Sequence, residues 1–167
     1  MASDQPYRFC HSIEVRFKDI DIGGHAHHSH ALVYFEEARA AYWRRVVSRP
    51  DLEDIDYILA EATVRWHNRI AWPTRLDVSL RVPLMARKHF VMEYLVRSRS
   101  GEALLSGSTV QVMYDYAAGA SKQIPKDVRA AITAHDGPFG QGGRWQGPTR
   151  PSPAESAAPV DRAHQRS

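Results

Sequence analysis

Residues 30–47 read His-Ala-Leu-Val-Tyr-Phe-Glu-Glu-Ala-Arg-Ala-Ala-Tyr-Trp-Arg-Arg-Val-Val, and a stretch apolar on nearly every side confines the chain to folds that can surround a helix. Leu32, Phe35, Ala38, Tyr42 and Val46 keep the spacing of three and four that makes one helix face. Ala31, Val33, Ala40, Ala41 and Trp43 make the other side apolar as well. Ser29 is placed to cap the N-terminus, so a helix is expected from there to about Val47.

The rest of the chain supplies something to wrap it. Ile13, Val15 and Phe17 alternate with Glu14, Arg16 and Lys18, which predicts a half-buried strand ahead of the helix. Strands are expected over Ile58–Trp66, Leu76–Val82, Phe90–Arg97 and Leu104–Asp115, with hairpin chemistry at Ser98-Arg99-Ser100-Gly101-Glu102. Pro125 suits the first turn of a short closing helix reaching Ile132. One strand, one long helix and then four strands on short connections argue an α+β class, with a curved antiparallel five-stranded sheet around a central helix.

At 167 residues the chain has room for one domain and a tail. The boundary is expected at 136, because residues 137–167 hold half of the prolines and half of the glycines and lose the apolar period. That composition predicts disorder for 137–167 and a folded unit over 1–136. The net charge of +3 is spread thinly, which argues against nucleic acid as a partner. The single Cys10 excludes an internal disulfide framework. No apolar run is long enough to span a bilayer, and neither a basic start nor an apolar signal stretch is visible, so a cytoplasmic setting is expected.

Chemistry concentrates in Asp19-Ile20-Asp21-Ile22-Gly23-Gly24-His25-Ala26-His27-His28-Ser29-His30, immediately before the helix. Free backbone N–H groups and the positive dipole end lie at a helix start, where a carbonyl oxygen gaining charge in acyl transfer would be stabilised. A carboxylate beside it can serve as nucleophile or general base. The glycine pair lets the loop backbone approach a substrate.

Val15-Arg16-Phe17-Lys18-Asp19-Ile20-Asp21-Ile22-Gly23-Gly24, with Tyr34-Phe35-Glu36-Glu37-Ala38-Arg39, resembles the hotdog-fold acyl-CoA thioesterases, in particular the 4-hydroxybenzoyl-CoA and Tol-Pal-associated thioesterase group. Met85-Ala86-Arg87-Lys88-His89-Phe90 and Val110-Gln111-Val112-Met113-Tyr114-Asp115, with Gln123-Ile124-Pro125, are similar to later parts of that family, so the likeness covers about 12–132. The resemblance implies a hotdog fold, Asp21 as the catalytic carboxylate, and Gly24 and the His28 backbone as the loop around the oxyanion, with His28 a candidate side-chain participant. It further implies Arg87 and Lys88, and more loosely Lys122, as contacts to the phosphates of CoA.

The implied activity is hydrolysis of an acyl- or aryl-CoA thioester, or one borne on a carrier protein, by a homodimer or homotetramer. No cofactor is implied beyond the CoA of the substrate, and no metal is expected at His25, His27 and His30. The His-rich run departs from the family pattern, and deacylation is expected to rise as its imidazoles become neutral. Asp19 reads as structural, and Glu36 on the helix is the rival base, read as a buried residue satisfied by Arg39 or a backbone N–H. A hotdog dehydratase or hydratase and a non-catalytic acyl-CoA-binding protein are the alternatives.

Overall fold

The structure is a computed structural model and describes residues 6–51, 55–137 and 139. Strand β1 (Phe9–Glu14) is followed by a 3-10 turn (Phe17–Asp19) and helix α1 (His30–Arg45). Strands β2 (Tyr57–Trp66), β3 (Arg75–Met85), β4 (His89–Ser98) and β5 (Ala103–Asp115) come next, then a two-residue strand β6 (Ala120–Ser121) and helix α2 (Lys126–Asp136). All pairings are antiparallel, in the order β1-β3-β4-β5-β2, with β6 added to the end of β5. This is the expected hotdog arrangement, five long strands curved about α1, with β6 as an addition that the periodicity did not announce.

One face of the sheet carries Leu76, Val78, Leu80, Val82, Phe90, Met92, Tyr94, Val96 and Leu105, all buried against α1. Phe35 lies flat on Tyr94 at a centroid distance of 4.2 Å, and Trp43 on Phe90 at 5.7 Å. Gly107 makes the first contact possible, since a Cβ there would stand 2.6 Å from Phe35 Cε2 and overlap the Thr63 carbonyl oxygen. Helix α2 closes one end with Val128 and Ile132, and its last residue, Asp136, accepts a hydrogen bond from the Tyr42 hydroxyl (2.5 Å).

Two local expectations need correction. The strand predicted through Phe17 ends at Glu14; Val15 is still buried, but Phe17 is 74% exposed and meets Trp72 edge to face. The Asp19 carboxylate accepts the Arg16 N–H (3.1 Å) and turns the chain out of the sheet. On α1 the buried stripe is Ala31, Tyr34, Phe35, Ala38, Ala41, Tyr42 and Trp43, whereas Leu32 is 41% exposed. Ser29 sits at the cap position, yet its backbone is already helical and its hydroxyl pairs with His27 Nδ1 (2.8 Å) instead of capping.

The tail expected over 137–167 lies outside the described residues, apart from Gly137 and Phe139. Gly137 ends α2 at φ 90°, its N–H on Thr133 O, and Phe139 packs against the core. Among the described residues no helix is long and apolar enough to cross a membrane.

Candidate active site

The segment between the 3-10 turn and α1 is a compact, internally bonded loop. Asp21 N–H donates to His25 O (3.0 Å), Gly24 N–H to Asp21 O (3.0 Å), and His27 N–H to Asp19 O (2.8 Å). Gly24 turns the corner at φ 76°. Ala26 N–H reaches across to Ile70 O (2.7 Å) and so ties the loop to the chain leaving β2. Between the two segments opens a cleft of about 440 Å³, lined from the loop side by Asp21, His25, His27 and His28 and from the other by Trp66–Ile70. Ala31 and Tyr34 of α1 and Leu105 of β5 form its floor.

The two aspartates of the loop have opposite fates. Asp19 is fully buried; Oδ2 accepts the Arg16 N–H and the Tyr34 hydroxyl (3.2 Å), and Oδ1 lies 3.6 Å from His30 Nδ1. Burial alone would raise its pKa, but the Arg16 N–H, the charges of Arg16 and His30 and the Tyr34 hydroxyl outweigh it and hold the carboxyl below its usual value. Burial, together with the same contact, pushes the Tyr34 phenol up, so it stays a donor. Asp19 is thus structural, as expected.

Asp21 faces the cleft, its side chain 24% exposed. Oδ1 accepts the Gly23 N–H (2.7 Å) and lies 3.4 Å from His25 Nδ1. Oδ2 makes no hydrogen bond among the described residues. At the far side of the loop the His28 N–H, one residue before the α1 cap, also has no acceptor among the described residues, and His28 lines the cleft. The His27 and His28 rings lie together at 3.9 Å. A carboxylate with a free oxygen and an unpaired N–H at a helix start are the two parts that acyl transfer needs.

The other expected site residues are placed differently. Gly24 does not line the cleft, and its N–H is spent on Asp21 O, so it shapes the loop and offers no donor to an oxyanion. Arg87, Lys88 and Lys122 come together at another corner. Lys88 donates to Ser121 O and Oγ (3.2 and 3.0 Å), Arg87 O accepts from Ile124 N–H, and Lys122 pairs with Asp56 (2.9 Å). Lys88 O accepts the Met113 N–H, eight residues along β5 from Leu105, so this corner lies roughly 25 Å along the strand from the Asp21 cleft of the same protomer. Glu36 is exposed, not buried, and does not line the cleft. Among the described residues no three His, Cys, Asp or Glu side chains converge to hold a metal ion.

Sequence reasoning missed the second wall, Trp66, His67, Asn68, Arg69 and Ile70. No motif marks it. It is defined by the long-range contact of Ala26 with Ile70, which spacing alone does not reveal.

An antiparallel sheet curved about one long buried helix defines the hotdog class of protein. Residues 15–132 match the thioesterase-like superfamily, and the chain belongs to that family. A thioesterase from Thermus thermophilus, crystallised with coenzyme A and zinc, is 28% identical; the alignment covers 81% of this chain and 97% of that one at a TM-score of 0.71. A DHNA-CoA thioesterase from Staphylococcus aureus is 22% identical over 75% of this chain and 89% of that one, at a TM-score of 0.68. The uncharacterized YsmA protein of Bacillus subtilis (strain 168) is 20% identical over 113 residues, 68% of this chain and 77% of that one. At 22% identity the Staphylococcus likeness is one of fold.

Proposed function

We propose that this protein hydrolyses an acyl- or aryl-CoA thioester to the free acid and CoA, with Asp21 as the general base toward water or as the nucleophile. The observation that carries the reading is the presence, in one cleft, of a carboxylate with a free oxygen and the unpaired His28 N–H at the start of α1. A thioester oxygen accepting the His28 N–H gains stabilisation as the carbonyl becomes tetrahedral; one such donor is typically worth about 2.7–4 kcal/mol. With Asp21 as base, it takes a proton from water as the oxygen adds to the carbonyl carbon, and collapse expels the CoA thiolate. With Asp21 as nucleophile, a mixed anhydride forms first and water then cleaves it. A thioester on a carrier protein's phosphopantetheine presents the same reacting atoms.

The reading includes a homodimer. Strand β2 bonds β5 along one edge and, among the described residues, leaves the other edge open over ten residues, with Leu59 and Trp66 exposed. So long an open edge calls for a partner strand. Antiparallel pairing of two β2 edges sets the Trp66 end of one protomer beside the Tyr57 end of the other. Tyr57 pairs with Met113, next to Lys88 and Lys122, so this pairing brings the basic corner of one protomer toward the cleft of the other, where CoA phosphates need cations.

A thiol-release assay over a panel of acyl- and aryl-CoAs tests the proposal with wild type, Asp21→Asn and His28→Ala. Turnover of at least one thioester is expected. It should fall about 10²–10⁴-fold in Asp21→Asn and far less in His28→Ala, which keeps the backbone N–H. Hydration of crotonyl-CoA without thiol release would assign the protein to the dehydratases. Acyl-CoA binding without turnover, unchanged in Asp21→Asn, would make it a binding protein.

A further inference from the structure

Arg69 is a cation in the cleft that the described residues leave unneutralised. It belongs to the wall facing the Asp21 loop, and the Ala26–Ile70 hydrogen bond (2.7 Å) pins the backbone beside it across from His27 and His28. Its neighbours are engaged: Asn68 Nδ2 donates to Glu102 Oε1 (2.7 Å), and His67 Nε2 meets Ser106 Oγ (2.8 Å). The exposed Arg69 guanidinium has neither an ion pair nor a hydrogen bond among the described residues. Arg16 is matched with Asp19 and Glu37, Arg49 with Asp56 and Asp127, and Arg81 with Glu93, so what sets Arg69 apart is its place in the cleft wall.

Asp21 is the one acid among the lining residues, and the proposed chemistry uses it. Set against it are Arg69, His25, His27, His28 and His67, with the half-exposed Trp66 indole alongside. A plain alkyl chain can pack on Trp66, Ala31 and Leu105 but would strip water from the guanidinium without returning a hydrogen bond. A carboxylate returns a charge-assisted, two-pronged bond that matches the guanidinium fork.

We propose that Arg69 is a specificity-determining residue, selecting acyl groups that carry a carboxylate remote from the thioester. This rests on the thioesterase reading above. Two matched pairs test it: adipoyl-CoA against hexanoyl-CoA, and 4-carboxybenzoyl-CoA against benzoyl-CoA, each with wild type, Arg69→Gln and Arg69→Lys. In at least one pair, wild-type kcat/KM should favour the carboxylate member by about tenfold or more. That preference collapses toward unity in Arg69→Gln, through loss on the carboxylate member only, and is partly kept in Arg69→Lys.

A wild-type ratio near one in both pairs overturns the proposal. So does an equal loss on both members in Arg69→Gln, which would make Arg69 a contact to the CoA phosphates. If wild type cleaves none of the four, the wider thioester panel decides the thioesterase reading separately, and calorimetric binding of the same four compounds decides this one. Tighter binding of a carboxylate member, lost in Arg69→Gln, upholds the selection; equal binding overturns it.

Discussion

Replacing Gly23 by alanine tests whether the position of the Asp21 carboxylate matters to within a few tenths of an ångström. A Cβ on Gly23 would stand 3.0 Å from Asp21 Oδ1 and 3.1 Å from His25 Nε2, where ordinary contact begins at 3.4 Å. Gly23 is not at positive φ, so the backbone itself accepts alanine. The methyl therefore acts on the carboxylate, which must retreat by about 0.4 Å from the N–H that holds it at 2.7 Å. A misplacement of 1 Å can cost about 10²-fold in rate; scaled in activation energy, 0.4 Å gives a loss in kcat of about sixfold. KM should change little, because neither residue holds the CoA.

Gly24→Ala is the matched control. Gly24 sits at φ 76° with nothing within 4 Å of its Cβ, so alanine there strains the backbone without touching Asp21. It should cost about 1–2 kcal/mol of stability and leave kcat within about twofold. Thiol release on the best substrate of the panel, with thermal unfolding of each variant, reads both effects. Wild-type kcat in Gly23→Ala, or a larger loss in Gly24→Ala than in Gly23→Ala, would refute the reasoning.

Three further outcomes follow from the core and the buried charges. Gly107→Ala presses a methyl into Phe35 and the Thr63 carbonyl, and should cost at least about 1–3 kcal/mol in urea unfolding; a change within about 0.5 kcal/mol would contradict the packing described. Tyr42→Phe leaves the buried Asp136 without its hydroxyl donor and should lower stability by about 1–3 kcal/mol, read as a shift in the denaturation midpoint. Because the folded Asp19 pKa lies below its ordinary 3.8, its stabilisation is present above that value and is lost as pH falls through the folded pKa. Unfolding midpoints measured from about pH 5 downward should therefore fall less steeply in Asp19→Asn than in wild type, and identical slopes would remove Asp19 from the account.

How much of the fold was legible depended on whether local pattern and long-range pairing agreed. Strands β3 to β5 show their apolar alternation in the sequence, and their observed ends extend the predicted ones by at most three residues, because each strand has one face on α1 and its period is enforced by burial. At β1 a local hydrogen bond competes with the sheet. Asp19 takes the Arg16 N–H and removes Phe17 from a strand that its alternation had claimed. On α1 an all-round apolar sequence offered several stripes, and the positions of Tyr94, Phe90 and Gly107 selected the one through Ala31 and Tyr34, leaving Leu32 outside. Strand β6 has only two residues, too few for any period to show.

The candidate site divides along the same line. The Asp21 loop is contiguous in the chain, so its carboxylate, its glycines and the helix start could be read together. Which aspartate would be buried and which would face a cleft is decided by partners distant in sequence: Tyr34 and His30 gather round Asp19, while among the described residues the local Gly23 and His25 attend Asp21. The Asp19 carboxylate, with one oxygen on a backbone N–H and a phenol and the other near only the Arg16 and His30 charges, is buried away from any substrate. One with a free oxygen at a cleft is available, and its position is set by a single glycine N–H. The basic corner at Lys88 follows the converse rule. Its cations come from the β3–β4 turn and from the segment after β6 and meet beside β5, and in the dimer proposed above their separation from Asp21 along the sheet makes any service to the same thioester one between protomers. Substitution of Lys88 should therefore weaken CoA binding only in an assembled dimer, and a variant with a disrupted β2 edge should lose that dependence together with its activity.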